Sequence, residues 1–283
     1  MKRIILDTST GCLDYVKHPY DIRIIRLAVY FGDKKYIDGV DMKADEFFQR
    51  LKDEPDAIPQ TSQPSPGELL ELFEGLIDEG YDEAIVTTIS SHLSGTYNGL
   101  ITVSKILEDR MKIHVYDTRT VCFPEGYYAL EAARLTEEGK TVEEIFAYFE
   151  ELRKKTTIYF AVDNLKYLVK NGRLSGASGF VANVFQIKPL LQVQPSGIIE
   201  AVEKIRTTRK ALTRVAEKFT NEVKGRKYKA FLVYTGNAEL KEFLKEEIKR
   251  LAGIEGLMEI PCTPIVGCHV GGDAIGIGVF YED

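Results

Sequence analysis

Short β-rich runs alternate with helical patterns through the first half of the chain, and this alternation restricts the possible folds most strongly. The apolar runs predict strands at Arg3–Leu6, Ile22–Phe31, Glu83–Ile89 and Lys112–Tyr116. Between them, at 68–79 and 97–109, apolar residues recur every three or four positions, as they do on one face of an α-helix. Strands and helices in this order are typical of βαβ units. The sequence therefore predicts a mainly parallel sheet that is flanked by helices.

The pattern changes near Lys155. The segments 187–194 and 199–205 flank Pro195-Ser196-Gly197 and predict a β-hairpin, whose strands are adjacent and antiparallel. Two helical patterns then alternate with apolar runs up to the end of the chain. We therefore predict two α/β domains, 1–155 and 156–283, which share a tight interface, and we expect a mixed or antiparallel sheet in the second.

Composition excludes several classes of protein. The 283 residues carry a net charge of −6 with acids and bases interleaved, which argues against a nucleic-acid partner because phosphate backbones require a basic face. Apolar runs are far shorter than the roughly 18 residues of a membrane-spanning helix, so none is predicted. The four cysteines are scattered, as is typical of reduced thiols rather than of disulfides or a zinc site. The first residues lack the apolar stretch of a secretory signal, and we expect a cytoplasmic protein.

Three loops rich in small hydroxylic residues follow predicted strands or precede predicted helices. They are Asp7–Gly11, Thr61–Pro66 and Ser90–Thr96. Ligands of open parallel sheets bind outside the carboxyl ends of the strands, and helix N-termini favour anions. These loops contain no Lys or Arg, and the chain lacks a G-x-x-x-x-G-K-[ST] phosphate-binding motif. A singly charged carboxylate therefore fits this cup of neutral donors better than a polyphosphate.

Two other interpretations stay open at this point. Each hydroxyl taken singly is explained by helix capping, and His269 by a structural hydrogen bond. Ser91 or Ser94, together with His269 and Asp117, also supplies the residue types of a catalytic triad for a small-molecule hydrolase or transferase. The chain has no G-x-S-x-G elbow, which makes that enzyme the weaker interpretation.

Several ordered motifs run through the whole chain. They are Asp7-Thr8-Ser9, T-S-Q-P-S-P at Thr61–Pro66, S-x-L-S-G-T at Ser91–Thr96, L-x-Y-L-x-x-x-G-R-L-S at Leu165–Ser175, I-K-P-L-L at Ile187–Leu191 and K-x-R-T at Lys204–Thr207. On these motifs the chain resembles the DegV family of bacterial fatty-acid-binding proteins. It departs from the family in the late H-x-G-P-G-A-x-G segment, where Gly272 and Asp273 replace the Pro and the second Gly.

The resemblance implies a two-domain α/β protein that holds a fatty acid such as palmitate, stearate or oleate between its domains. The residues that match the family's carboxylate-binding positions are Thr61 and Ser94, and the further candidates around them are Ser91, Gly95 and His269. The acyl tail is then expected to enter the second domain. The predicted tail-lining residues are Phe180, Val184 and Leu190.

The resemblance also implies a partner. In the family, a separate kinase uses ATP to phosphorylate the bound fatty acid to an acyl phosphate, which serves phospholipid synthesis. We therefore expect a binding protein without catalytic residues, metal or cofactor of its own, and with no more than transient membrane contact. The predicted partner contacts are Arg206, in the basic cluster Lys204–Lys210, and Arg173.

Overall fold

The computed structural model describes residues 2–174 and 187–282, and its first half is built on a parallel four-stranded sheet. In their order across the sheet the strands are β2 (Ile22–Ile25), β1 (Arg3–Thr8), β6 (Glu83–Thr88) and β7 (Lys112–Asp117). The helices that cover it are α2 (Pro66–Asp78), α3 (Thr96–Ile106), α4 (Phe123–Glu137) and α5 (Val142–Lys154). The predicted parallel sheet with flanking helices is thus confirmed.

Side chains of this sheet alternate between two hydrophobic clusters, because successive residues of a strand point to opposite faces. Ile4 and Leu6 of β1 pack with α2 and α3, whereas Ile5 between them faces α4 and α5. Both faces are apolar, which explains why β6 is buried along its whole length rather than at alternate positions. Helices therefore cover both faces of the sheet. The place that remains open to a ligand is at the loops that follow the carboxyl ends of the strands.

The second half contains a mixed six-stranded sheet, as predicted. Its order is β10 (Ile199–Glu203), β9 (Leu190–Val193), β8 (Thr156–Val162), β13 (Ala274–Tyr281), β11 (Tyr228–Tyr234) and β12 (Met258–Pro261). β11 and β12 are parallel, and the other neighbours are antiparallel, including the predicted β9–β10 hairpin. One face of the sheet is covered by α7 (Thr208–Val223) and α8 (Ala238–Ala252).

The other face of this sheet shares a core with the first half. Tyr159 and Ala161 of β8 face α7 and α8, whereas Ile158 and Phe160 belong to one cluster with residues of β6, α4 and α5. Lys155 lies between α5 and β8, where the sequence predicts the division into domains. Because a single hydrophobic cluster includes residues from both sides of Lys155, the division itself stays a prediction.

A third, three-stranded sheet was not predicted. Its order is β4 (Lys34–Ile37), β3 (Ala28–Phe31) and β5 (Gln60–Ser62). The run 22–31, predicted as one strand, divides between this sheet and the parallel one. At the break, Arg26 Nη1 donates to the Asp38 carbonyl oxygen at 3.3 Å, which ties the chain there to the segment that follows β4. Thr61 consequently lies on a strand rather than in the predicted loop.

Three further α-helices and two short 3-10 helices, Ser9–Gly11 and Leu13–Tyr15, complete the described chain. The α-helices are α1 (Ala44–Asp53), α6 (Lys166–Lys170) and α9 (Pro264–Val270). Both α1 and α6 pack against α9, which carries His269 and for which the sequence made no prediction. Within the two described ranges, no helix has the length and apolar character that crossing a membrane requires.

Gly126 on α4 determines how closely that helix approaches the loop after β1. A Cβ at Gly126 would overlap the Gly11 carbonyl oxygen and would lie 2.8 Å from Leu13 Cδ2. Overpacking a buried contact costs about 1–3 kcal/mol, so Gly126→Ala should lower the free energy of unfolding by that amount in urea denaturation.

Gly75→Ala on α2 is the matched control for this substitution. A Cβ at Gly75 meets nothing within 4 Å, and alanine favours a helix by up to about 1 kcal/mol over glycine. We expect unchanged or slightly raised stability. Equal losses in the two variants would show that the close approach of α4 is not what Gly126 provides.

Candidate functional site

A cavity of about 300 Å³ lies between the carboxyl ends of the parallel strands and the six-stranded sheet. Leu93 and Val121, from the loops after β6 and β7, line one side, and Phe160 and Ile275, from β8 and β13, line the other. Most of the lining side chains are apolar and offer no hydrogen bond to a ligand. The cavity therefore suits a long apolar group.

Several polar groups of this cavity are connected to one another. Thr61 Oγ1 lies 3.0 Å from His269 Nε2, and the Arg173 charge acts on His269. Arg173 Nε in turn donates to the Leu93 carbonyl oxygen at 3.1 Å, one residue before Ser94. We use the name polar cluster for Thr61, Ser94, Gly95, Arg173 and His269, all of which line the cavity.

Four elements that are distant in the sequence supply the polar cluster. In chain order they are β5 with Thr61, the turn before α3 with Ser94 and Gly95, the turn after α6 with Arg173, and α9 with His269. Thr61 is held by the pairing of β5 with β3, and His269 by the packing of α9 against α1 and α6. A ligand at the polar cluster would therefore touch both halves of the chain.

The Ser94 hydroxyl is only partly used by its own helix. Its Oγ accepts the Thr96 N–H at 3.3 Å and lies 2.9 Å from Thr96 Oγ1. A hydroxyl has one hydrogen to donate and two lone pairs to accept with. When the Thr96 hydroxyl donates to Ser94, the Ser94 hydrogen is left for a ligand. Helix capping and ligand binding are therefore compatible at this residue.

His269 is neutral at pH 7. Burial lowers its pKa to about 4, and the positive charge of Arg173 acts in the same direction. Its Nε2 faces Thr61, whereas Nδ1 is buried without a hydrogen-bond partner among residues 2–174 and 187–282. In either tautomer one donor of this pair is left over: Nδ1–H if Nε2 accepts from Thr61, or the Thr61 hydroxyl if Nε2 donates to it. Because Nδ1 has almost no exposed surface, the donor that a ligand in the cavity can reach is the Thr61 hydroxyl, in the tautomer in which Nε2 donates to Thr61.

Arg173 brings a positive charge to the cavity that the sequence did not predict there. The three hydroxylic loops predicted a cup of neutral donors, with Arg173 as a contact to a partner, whereas the structure has Arg173 on the cavity wall. Burial lowers its pKa, but a guanidinium stays charged in proteins. Its contact with Leu93 joins residues 80 positions apart, a distance over which sequence patterns carry no information.

Ser91 lies outside the cavity lining and needs correction as a predicted carboxylate ligand. Its Oγ donates to Asp117 Oδ2 at 2.6 Å, because the end of β7 brings that carboxylate beside the turn. A catalytic triad requires the histidine between serine and acid, but His269 pairs with Thr61. The arrangement therefore gives no support to the hydrolase or transferase interpretation.

The first hydroxylic loop contributes little to the cavity. The hydroxyls of Thr8 and Thr10 are bonded to Glu125, and of this loop only Thr10 lines the cavity. Burial raises the pKa of Asp7 to about 8, and burial together with the Asp7 charge raises that of Glu125 well above its usual range. The polar cluster is therefore built from two of the three predicted loops, joined by Arg173 and α9.

Leu190, one of the three predicted tail-lining residues, faces the wrong side of its strand. It packs in the cluster under α7 and α8, whereas Val193 on the same strand lines the cavity. Residues an odd number of positions apart on a strand point to opposite faces, which explains the correction. Phe180 and Val184 lie outside the described residues.

In the loop after α9, where the chain departs from the family pattern, Asp273 has hydrogen-bond partners in the rest of the structure. Asn237 Nδ2 donates to Asp273 Oδ1 at 2.6 Å, and the Asp163 N–H donates to the Asp273 carbonyl oxygen at 3.1 Å. These bonds tie the loop to the start of α8 and to the end of β8. Asp273 thus has a role in closing this loop, and His269 still reaches the cavity.

Comparisons with known proteins agree with this architecture. The chain matches the model of the DegV family, described as uncharacterised proteins, over residues 2–282. A DegV domain-containing protein of Clostridium acetobutylicum is 32% identical over 285 residues, which cover 99% of this chain and 98% of the relative. Among solved structures, DegV of Bacillus subtilis, a fatty acid binding protein, has a TM-score of 0.86 at 29% identity and covers 100% of both chains. A stearic acid-binding protein from Eubacterium ventriosum has a TM-score of 0.85 at 26% identity, covering 100% of this chain and 99% of that one.

The protonation of His269 tests this description of the polar cluster. Because burial disfavours the imidazolium, we expect the His269 ring to protonate only at a pH of about 4, as followed by side-chain NMR of the ligand-free protein. Arg173→Gln removes the second cause and should raise this pKa, while burial still holds it below about 6.5. Lys170→Gln, an exposed change on α6, is the control and should leave it unchanged. A wild-type His269 pKa near 6.5 would contradict the description.

Proposed function

The chain belongs to the DegV family, and we propose that it binds a long-chain fatty acid in the cavity between its parallel sheet and its six-stranded sheet. The observation that carries the proposal is the cavity itself, an apolar space whose lining includes a connected polar cluster. A fatty acid has the matching distribution of groups, with a single carboxylate on a long apolar chain. The fatty acid binding of the two similar solved proteins supports the same ligand class.

The proposed site for the carboxylate is the polar cluster. The Thr61 hydroxyl offers one donor when His269 Nε2 donates to it, and the Ser94 hydroxyl offers a second when the Thr96 hydroxyl donates to Ser94. Arg173 supplies a positive charge at the same end of the cavity. Leaving a buried charge unpaired costs about 3–5 kcal/mol, so these groups make burial of an anion tolerable.

The acyl tail would supply most of the affinity. A palmitate tail has roughly fourteen methylenes at about 0.8 kcal/mol each, so its burial contributes on the order of 11 kcal/mol before the costs of association. The apolar side chains of β8, β9, β11 and β13 that line the cavity are suited to this tail. In this division of roles, the tail holds the ligand and the polar cluster determines its orientation.

We further propose that the bound carboxylate is presented to a separate, ATP-dependent kinase in the cytoplasm. Thr61 and Ser94 are partly exposed, and Gln63 beside them is exposed, so this end of the cavity is near the surface. Arg206 is exposed between β10 and α7 and does not line the cavity, which suits a contact with such a partner. The chain carries no G-x-x-x-x-G-K-[ST] motif for ATP, which is consistent with leaving phosphoryl transfer to another protein.

Removing either hydroxyl of the polar cluster tests the binding proposal. Hydrogen bonds to charged groups contribute about 1.5–3 kcal/mol, so Thr61→Val and Ser94→Ala should each weaken palmitate binding about tenfold or more. Calorimetric titration of delipidated protein measures this. Thr102→Ala removes an exposed hydroxyl of α3 and serves as the control with unchanged affinity. A wild-type protein that takes up no palmitate would refute the proposed function, and full affinity in both variants would refute the assigned head-group residues.

Charge reversal at Arg206 tests the partner proposal separately. Exposed charges mainly steer association, so Arg206→Glu should keep palmitate affinity within about threefold yet strongly reduce acyl-phosphate formation with a cognate kinase. Lys224→Glu, an exposed reversal at the other end of α7, is the control. The protein with ATP and Mg²⁺ alone should form no acyl phosphate. Product from the protein alone, or equal activity of both reversal variants with the kinase, would count against the proposal.

A further inference from the structure

The turn of the β9–β10 hairpin is hydrogen-bonded to the turn that carries Ser94. Ser90 is fully buried, and its Oγ donates to the Gly197 carbonyl oxygen at 2.8 Å. The two residues are 107 positions apart and lie on opposite sides of residue 155. We name this contact the Ser90–Gly197 clasp. It links the head-group loop of the first half to a hairpin of the second.

On the first-half side, the backbone of Ser90 shapes the head-group loop. Its carbonyl oxygen accepts the N–H groups of Leu93 at 2.9 Å and of Ser94 at 3.1 Å. Its own N–H donates to the Thr120 carbonyl oxygen at 2.9 Å, which joins the loop after β6 to the loop after β7. Leu93 and Ser94 line the cavity, whereas Ser90 does not. Ser90 can therefore affect a ligand only through its neighbours.

On the second-half side, the clasp holds a wall of the cavity. Val193 and Ile199 are paired directly across the hairpin, and both line the cavity. Among residues 2–174 and 187–282, β10 is at the edge of the six-stranded sheet, and sheet hydrogen bonds hold it from the β9 side. The position of this wall therefore depends on contacts that the hairpin turn makes elsewhere.

The clasp requires a glycine at position 197. Its φ of +93° is one that residues with a side chain rarely adopt. A Cβ at Gly197 would overlap Ser90 Oγ and would lie 3.1 Å from Arg119 Cα. The hairpin turn is thus in close contact with both loops that continue into the cavity lining at Leu93 and Val121.

We propose that Ser90 is a positioning residue that keeps the hairpin wall closed over the bound fatty acid and so sets how slowly the ligand leaves. The inference rests on the proposed fatty-acid binding. Movement of the hairpin away from the head-group loop must break the clasp, because Oγ and the Gly197 carbonyl belong to the two separating parts. Losing the clasp lowers the cost of that opening, and differences of this kind appear mainly in the dissociation rate.

Stopped-flow fluorescence with the full chain tests the proposal. The protein is loaded with cis-parinaric acid, a fluorescent fatty acid, and its release to excess albumin is followed. Ser90→Ala removes the clasp and also the bond that Oγ accepts from the His92 N–H at 3.2 Å, and loss of the clasp corresponds to about a five- to tenfold faster release. Thr88→Val is the matched control, since it also removes a buried hydroxyl, bonded to the Tyr116 carbonyl oxygen within the first half. Its release rate should stay within about twofold of the wild type.

A double-mutant cycle with Gly197→Ala separates the clasp from a general loss of stability. Gly197→Ala alone should also speed release, because its Cβ displaces the hairpin from Ser90. In the Ser90→Ala background the overlap with Oγ is gone, so the added effect of Gly197→Ala should be smaller and the two effects should not multiply. Gly197→Ala alone tests the proposal if Ser90→Ala does not fold.

Three results would contradict the proposal that the Ser90–Gly197 clasp sets the release rate. They are an unchanged release rate in Ser90→Ala, equal acceleration in Thr88→Val, and effects of the two substitutions that multiply independently. A wild-type protein that does not bind cis-parinaric acid or palmitate would instead refute the proposed function itself. The two failures are therefore distinguishable by the wild-type measurement alone.

Discussion

The face of the six-stranded sheet that lies opposite α7 and α8 is apolar and has to be shielded from water. The arrangement of the rest of the molecule depends on this requirement. The side chains of this face, among them Ile158 and Phe160, are apolar, and α7 and α8 cover only the other face. The first half supplies the cover with α4, α5 and the loops at the carboxyl ends of its parallel strands. Loops pack less completely than helices against a sheet, because their backbone groups need hydrogen bonds of their own. The space that remains between sheet and loops is the cavity.

Arg173 and His269 are close enough in the polar cluster for the charge of one to affect the other. A neutral, buried histidine and a charged arginine lie at the same end, and a positive neighbour is one reason why His269 stays neutral. An anion placed there is attracted by the Arg173 charge. Away from this end the described lining is largely hydrocarbon, so an amphiphile has only one favourable orientation. Orientation of the head group is a requirement of any carrier whose ligand is to be modified by another protein.

Much of the fold was predictable because its signals are local. The hairpin around Pro195-Ser196-Gly197 and the parallel strands of the first half depend on turn chemistry and apolar periodicity, which are read within about ten residues. The run 22–31 is a case in which the local sequence pattern does not predict the strands. Eight of its ten residues are apolar, yet the run divides between two sheets, and Arg26 at the break donates to the Asp38 carbonyl oxygen. Leu190 makes the same point, since the apolar character of β9 does not say which of its faces meets the cavity.

For the site, the sequence by itself determined the chemistry of the polar-cluster residues, namely hydroxyls at Thr61 and Ser94 and an imidazole at His269, because those motifs are short and contiguous. Only the tertiary structure decided which of them meet. Ser91, three residues before Ser94, pairs with Asp117, while Arg173, which the sequence predicted at a partner surface, comes to the cavity wall through a bond to Leu93. The physical reason is that a hydrogen bond is decided by distances of about 3 Å. The Arg173–Leu93 and Thr61–His269 contacts each join the two halves, so they reach that distance only when the halves have packed against each other.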